Sequence, residues 1–591
     1  MSEIHKPRYY IGLATTFHDP AIAVIDAKGK VIFAEATERF LQYKRAPNCE
    51  PDPALYMESV IERFIPPNAE IVIASTWGAD FTDYLAQSAN AGAFELKKLL
   101  THSTNLNRSL VPERSERALI ASLHMAQQRA GIGTLLALDR MNNRAGTHRT
   151  ILEQRRYPHH LSHAAYACLS SPFEQATCLV VDGMGETGAS AIYSYKAGKL
   201  TQVKRHRGRE SIGFYFGLVT DLAGFDQTRG EEWKIMGLAP YGKANDTLLN
   251  LLRQLYKIDK NKLTFADSDQ VKSTCDALIA LRPQDTLKAG WADLARCGQI
   301  IFEEMMDALL NEAEQLAPCE NLVLTGGCAL NSSFNGKILS RTHFKQLHVP
   351  SAPADDGNAI GAAWLALTDD NQNWFQTPQL LTPYLGSRVS TKPLKQMQVW
   401  EKRLFHRPDT IIEETARLLA AGKLIGWVQG CSEFGPRSLG NRSILADPRP
   451  HNAKAILNEK VKYREAFRPF APSILEADAP DWFEDYQDSP CMERTLKWRA
   501  DKRALVPAVV HEDGTGRLQC VNRERNPHFS MLIEAFKSIT GVPILLNTSF
   551  NVMGKPILHT TEDALLMFYT CGLDALIIED WLLVKHIEDA H

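Results

Sequence analysis

Residues 178–195 read CLVVDGMGETGASAIYSY. The first four are apolar or β-prone, Asp182 closes the run, glycines follow, and ASAIYSY resumes a strand pattern. The segment therefore predicts two strands joined by a glycine turn with an acidic residue at the bend. Working outward, the same plan appears at residues 9–26, YYIGLATTFHDPAIAVID, with Asp19 at the bend and Val31–Ala36 as a third β-prone run. The two places make an internal repeat at the level of architecture.

The rest of the chain alternates between helical and strand patterns, which predicts an α/β protein. Helices are expected over 53–65, 112–131, 245–257, 290–316 and 409–421. NLVLTGG (321–327) reads as a buried strand entering a glycine turn, and SAPADDGNAIGAAWLAL (351–367) as a loop feeding a helix of small residues. KLIGWVQG (423–430), GVPILLNTSFN (541–551) and residues 575–585 supply further β-prone runs. Residues 367–393 are rich in Asp, Asn, Gln, Thr, Pro and Ser, so the expected division is 1–390 and 391–591.

The 591 residues are too many for one ordinary core. Hydrophobic residues make up 44% and charged residues 23%, with a formal net charge of -3, so no overall bias toward nucleic acid or an anionic membrane exists. No apolar run reaches the length of a membrane span. The opening MSEIHKPRYYIGLATTF lacks a secretory pattern, and eleven cysteines lie scattered without CxxC spacing. A reducing cytoplasm is the expected compartment, without a disulfide scaffold or zinc ribbon.

Five motifs carry chemistry. In Pro158-His159-His160-Leu161-Ser162-His163, proline suits a helix start, and His159 and His163, four apart, share one face. Two imidazoles on one face can chelate a metal. Asp182 and Asp355 are the candidate carboxylate partners, a donor set that suits Fe(II) or another divalent ion. The alternative is a pair of core histidines without metal. Asp182–Gly188 formally matches GxGxxG, but a strand follows instead of a helix, which excludes a dinucleotide fold. Gly185 and Glu186 in this hairpin can still meet phosphates, unless it is an ordinary turn. Residues 237–244, GLAPYGKA, imitate a phosphate loop but lack the terminal hydroxyl, and Pro240 removes a backbone donor.

The fourth motif, Thr325–Asn331, places Gly326, Gly327 and Asn331 where a nucleotide can lie against bare backbone, or where a strand simply turns into a helix. The fifth spans Arg437, Lys462, Arg464, Arg468, Arg517 and the run Asn547-Thr548-Ser549. Cations set among glycines and prolines suit several phosphates, against the alternative of a solvated basic surface.

Taken in order, TTFHDPAIAVI, HHLSHAAYA, VVDGMGE, EWKIMGLAPYGK, LTGGCALN, ADDGNAIGAA, EFGPRSLGNRSILADPR, KYREAFRPFAPS, DGTGRLQCV and ILLNTSFNVMGKPI resemble the O-carbamoyltransferase family of nodulation and antibiotic-tailoring enzymes. The resemblance covers nearly the whole chain. It implies that the first part has a duplicated ATPase-like α/β fold of the actin, Hsp70 and sugar-kinase type, similar to the threonylcarbamoyl-transferring domain of tRNA modification. It implies that the second part resembles the threonylcarbamoyl-adenylate synthase fold.

By the same likeness, the second part would take ATP, Mg²⁺ and carbamoyl phosphate and form carbamoyl-adenylate. The first would pass the carbamoyl group to the hydroxyl of a small natural-product or sugar-like acceptor. Lys462, Arg437, Arg517, Asn547 and Ser549 would grip the phosphorylated substrates, with Lys462 and Arg517 catalytic. His159, His163, Asp182 and Asp355 would hold a metal, expected to be iron. His18 and Lys44 would lie near the acceptor, His18 as proton acceptor, a role suited to imidazole near neutral pH. His160 and Asp356 remain rivals to His159 and Asp355, although the four-residue spacing favours His159. Trp77, Phe81, Tyr84, Phe214, Tyr215, Phe216 and Phe225 could line an apolar acceptor pocket, with core packing the alternative. A homo-oligomer is compatible with the sequence. Two other readings are threonylcarbamoyl transfer to tRNA, disfavoured by the near-neutral charge, and a nucleotide sensor without turnover, disfavoured by the retained cations of the second part.

Overall fold

The computed structural model describes residues 6–78, 126–145, 148–206, 210–259, 262–283, 290–375 and 377–590. The chain divides into two compact units. The first is Met1–Phe40, Arg45–Asn331 and Lys337–Leu381; the second is Leu41–Lys44, Ser332–Gly336 and Thr382–His591.

In the first unit, β1 (Arg8–Ala14), β2 (Ala21–Asp26), β3 (Val31–Ala36), β4 (Glu70–Thr76) and β5 (Thr150–Tyr157) form a sheet of order β3-β2-β1-β4-β5. β6 (Gln175–Val181), β7 (Ser190–Lys196) and β8 (Lys199–His206) follow. Then come a small hairpin, β9 (Tyr256–Asp259) and β10 (Lys262–Phe265), and two strands, β11 (Asn321–Thr325) and β12 (Gln346–His348). The second sheet runs β12-β11-β6-β7-β8. Read from its other edge, it is the first sheet over again: two antiparallel pairings, then two parallel ones, about a central first strand. The repeat in the sequence is thus a duplicated ATPase-like α/β fold. Parallel pairing demands cover on both faces, and β6 is buried along Ala176–Val181.

The helix His159–Leu169 follows β5, with Pro158 at its N-cap, and buries every residue except Leu161. Its alanines let the helix Asn358–Asp370 pack close against it. A helix of 25 residues, Ala292–Leu316, leads into β11.

The second unit holds one nine-stranded mixed sheet. Its strands are β13 (Leu404–His406), β14 (Ile425–Val428), β15 (Arg442–Ala446), β16 (Ala471–Leu475), β17 (Arg494–Lys497), β18 (Thr515–Val521), β19 (Ile544–Ser549), β20 (Ala575–Ile578) and β21 (Trp581–Val584). Their order is β13-β21-β20-β14-β15-β19-β16-β18-β17. The helices Ile411–Ala420 and Pro527–Thr540 pack with Trp427, Leu445, Ile474 and Leu546 into its core.

One sequence expectation shifts. The helix placed at 245–257 stops at Arg253, because Tyr256–Asp259 pairs as β9; Tyr256 and Ile258 are strand formers. The β-prone run at 575–585 is a hairpin turned at Glu579, which adopts φ 50°. The helix expected at 112–131 lies mostly outside the described residues, as do Phe81 and Tyr84. No helix among the described residues is long and apolar enough to cross a membrane.

Candidate functional site

Four side chains converge at the carboxyl end of the second sheet. Asp182 follows β6 directly, His159 and His163 come from the helix after β5, and Asp355 opens the short turn Asp355–Gly357. All four are buried, and one donor atom from each lies within 4.8 Å of the other three. His159 Nε2 is 2.9 Å from Asp182 Oδ2, 3.4 Å from Asp355 Oδ1 and 3.2 Å from His163 Nε2. His163 Nε2 is 3.5 Å from Asp182 Oδ2 and 3.4 Å from Asp355 Oδ1. Donors about 2.1 Å from a central cation in a tetrahedron stand about 3.4 Å apart. Four of the five separations given, 3.2–3.5 Å, are close to that value, so the residues fit a divalent ion.

The charges agree. Burial opposes a charged imidazole, yet Asp182 and Asp355 push His159 up to about 10. A cluster that captures a proton so strongly has a place for a cation. Asp182 is held well below the ordinary carboxylate range: burial alone would raise it, and the two histidines overcome that.

Surrounding groups hold the four in place. Gly327 N donates to Asp182 Oδ1 at 3.1 Å, and Glu186 Oε1 accepts from His159 N at 2.7 Å and Gly78 N at 3.2 Å. Glu186 thus caps the helix that carries both histidines. The Trp77 ring stacks on His159 with centroids 4.5 Å apart, on a backbone of φ 68°. The Asn358 amide lies 3.4 Å from His159 Nδ1. A histidine that turns Nε2 to a metal carries its proton on Nδ1 and needs an acceptor there, so Asn358 would have to present its carbonyl oxygen rather than the Nδ2 that faces the ring. His18 Nδ1 sits 2.8 Å from Asp19 Oδ2 and 3.8 Å from Asp355 Oδ2, so His18 borders the cluster. Arg45 Nε donates to Asp19 at 3.1 Å. Burial would raise the Asp19 carboxyl, but Arg45 and His18 hold it below the ordinary range.

Both rivals lie off the cluster. His160 turns its ring to Gly185, where a Cβ would come within 2.6 Å of it, and burial together with His159 drives it down to about 3. Asp356 is pushed up to about 8 by burial and by Asp19, Asp355 and Glu38. Gly326 adopts φ 91°, ψ 166°, and a Cβ there would stand 2.2 Å from Val181 O. Only glycine lets β11 close on β6 and bring Gly327 to Asp182. Asn331 spends its amide on a reciprocal pair with Gln299, at 3.2 and 2.9 Å. Lys44 belongs to the second unit, close enough to Lys462 to help lower it.

In the second unit the predicted cations share one region. The π-helical turn Asn458–Lys462 ends at Tyr463, φ 48°. Such turns recur at functional sites. Lys462 Nζ donates to Ser549 O at 2.6 Å, Asn551 O at 2.9 Å and Asn551 Oδ1 at 2.7 Å, with Ser549 Oγ at 3.3 Å. Burial, then Arg464 and Arg468, hold Lys462 well below its ordinary value. Burial lowers Arg437 to about 10, and burial with Arg468 lowers Arg464 to about 9. Burial, then Arg437 and Arg464, hold Arg517 well below its ordinary value. Burial comes first in all four shifts, and repulsion among the cations adds to it for Lys462, Arg464 and Arg517. Asn547 anchors the neighbouring sheet surface: its Nδ2 donates to Ser438 O, Ser473 Oγ and Gln519 Oε1 at 3.0–3.2 Å. A cavity of about 660 Å³ opens beside these residues, walled by Lys454, Asn458, Glu459, Tyr463 and Arg464.

Sequence reasoning missed Asn358, Asp19, Arg45 and Gln299. Asp19 and Arg45 flank the motif residues His18 and Lys44, which was a usable signal; Gln299 lies inside a regular helix and carries none. Trp77, left by the sequence between an acceptor pocket and core packing, stacks on His159.

Residues 9–364 match the family described as Carbamoyltransferase N-terminus, and residues 416–585 match Carbamoyltransferase C-terminus. Nodulation protein NolNO of Sinorhizobium fredii is 36% identical, over 72% of this chain and 63% of its own length. More than a third of that relative therefore lies outside the match. Nodulation protein NolO of Bradyrhizobium diazoefficiens is 35% identical, over 72% of this chain and 78% of its own. An uncharacterised protein of Synechocystis is 34% identical, over 72% and 75%.

Proposed function

The chain belongs to the carbamoyltransferase family, and on that premise we propose that it is an ATP-dependent O-carbamoyltransferase with a small-molecule alcohol as acceptor. The observation that carries the reading is the gathering of four buried cations, Arg437, Lys462, Arg464 and Arg517, in the second unit. Charge of that kind suits two phosphorylated substrates held together, here carbamoyl phosphate and Mg²⁺-ATP.

We propose a sequence of steps in which each bond formed is matched by one broken. Nitrogen donates into the carbamoyl carbonyl and makes it a poor electrophile. Water cleaves carbamoyl phosphate to carbamate and phosphate. A carbamate oxygen attacks the α-phosphorus of ATP, pyrophosphate leaves, and carbamoyl-adenylate forms. Arg437, Arg464 and Arg517 would neutralise the phosphates, and Lys462 would stabilise charge developing at the α-phosphorus. The acceptor oxygen then attacks the carbamoyl carbon, its proton departs, and AMP leaves.

We assign the last step to the first unit. His18, with Nδ1 beside Asp19, would take the hydroxyl proton on its free Nε2. His159, His163, Asp182 and Asp355 would hold the metal, which we read as iron(II). When bound, such an ion polarises the oxygen it coordinates.

The direct test incubates the protein with ATP, Mg²⁺, carbamoyl phosphate and a panel of alcohols. One carbamoyl group gained by an alcohol, with phosphate, pyrophosphate and AMP formed alongside, supports the reading. Pyrophosphate released at full rate without carbamoyl phosphate contradicts it.

A further inference from the structure

The strands β14 and β15 pair antiparallel, with Val428 opposite Arg442, and Gln429–Asn441 loops between them. A hairpin turns in about two to five residues, and loops far longer than that are uncommon and mostly functional. This one carries both Glu433 and Arg437.

Glu433 is 2% exposed. Its Oε1 accepts the backbone N–H of Leu439 at 2.7 Å, of Asn441 at 2.8 Å and of Arg442 at 3.1 Å. A carboxylate set among N–H groups of its own loop closes that loop as a bound anion would. The buried guanidinium of Arg442 secures the base. It donates to Gln429 O at 2.7 Å, to Asn441 O and Ser387 O at 2.8 Å, and to Gly430 O at 3.1 Å. Where the chain leaves, Phe434 N donates to Pro383 O at 2.7 Å. Where it returns, Asn547 Nδ2 donates to Ser438 O at 3.2 Å, and Leu439 O accepts from Tyr384 Oη and Gln519 Nε2, both at 2.8 Å.

These bonds fix the main chain on either side of Arg437. Pro436 sets φ just before it, and Ser438 is held just after it. A buried carboxylate costs free energy that a plain turn has no need to spend. An arginine gains from it, because a long side chain grips a phosphate with both of its N–H arms only when its own backbone is already in place. Arg437 also stands near enough to Arg517 to help lower it, so the loop delivers its arginine to the group of cations.

We propose that Glu433 is a positioning residue: by closing the Gln429–Asn441 loop on three N–H groups, it presents Arg437 to a phosphate of ATP or of carbamoyl phosphate. This rests on the reading of the second unit as the one that takes phosphorylated substrates.

Carbamoyl-phosphate-dependent exchange of labelled pyrophosphate into ATP, run on the full-length protein, gives a KM for each substrate. Arg437→Ala should raise one of them about a hundredfold, which tells which phosphate the loop serves. Glu433→Gln keeps the shape and an acceptor oxygen but loses the charge that strengthens three bonds. It should raise that same KM about tenfold and leave kcat and the other KM within about twofold. In the Arg437→Ala background it should add nothing, since the side chain it places is gone; a merely structural glutamate would cost the same in both backgrounds. Tyr384→Phe removes a single bond to Leu439 O and should raise the same KM about twofold to threefold in a protein that melts like wild type, even if Glu433→Gln does not fold. Losses that add in the double variant overturn the proposal, as does a rise confined to the KM that Arg437→Ala leaves alone. Wild-type protein without exchange overturns the parent reading, and this one with it; wild-type exchange with both constants unchanged in folded Glu433→Gln overturns this one alone.

Discussion

Asp182 gives one carboxylate oxygen to His159 Nε2 at 2.9 Å and the other to the backbone N–H of Gly327 at 3.1 Å. A strand end, a helix face and a glycine turn thereby meet at one side chain. Asp182→Asn keeps the shape and removes the charge. Elemental analysis of purified wild type should find about one divalent ion per chain, and the variant should bind it more weakly than the roughly 10–100-fold loss that follows removal of an outer-shell partner. Metal-free wild type with full activity would contradict the site.

Gly326 should tolerate no side chain. Its dihedrals alone cost another residue about 1–3 kcal/mol, and a Cβ would meet Val181 O at 2.2 Å. Gly326→Ala should lower the melting temperature and weaken metal binding together, because Gly327 would be displaced from Asp182. A variant that melts and binds metal like wild type would disprove the coupling.

Asp52 makes stability depend on pH. It is fully buried and accepts from Thr134 N at 2.8 Å, Thr134 Oγ1 at 2.7 Å and Gly131 N at 3.2 Å. Burial raises it to about 6 despite these bonds. Between its unfolded value near 4 and about 6, the folded protein holds a proton that the unfolded chain has released, so stability falls as pH rises through that window. The loss is of the order of 2–3 kcal/mol. Melts of wild type and Asp52→Asn at pH 4.5 and 7.5 check it: the wild type should lose stability relative to the variant on going to the higher pH.

Much of the first unit was legible because its signals are local. The runs ending at Ala14, Asp26, Ala36 and Val181 alternate with turn residues, and His159 and His163 share a helix face by spacing alone. Other features were not, because they join distant residues. Nothing near Trp77 announces that it will stack on His159, or that Asn331 will pair with Gln299 thirty-two residues away. Lys44 reads as part of the opening motif, yet Leu41–Lys44 and Ser332–Gly336 fold with the second unit.

The proposed division of labour is tested most directly by supplying chemically made carbamoyl-adenylate to Lys462→Ala and His18→Asn, each first shown to melt like wild type. Replacing Lys462 should slow adenylate formation roughly 10²–10³-fold and abolish pyrophosphate exchange. His18→Asn should keep exchange and lose transfer to the alcohol. The account predicts that carbamoyl-adenylate restores product formation to the Lys462 variant and not to the His18 variant. Equal rescue of both variants, or rescue of neither, would contradict it.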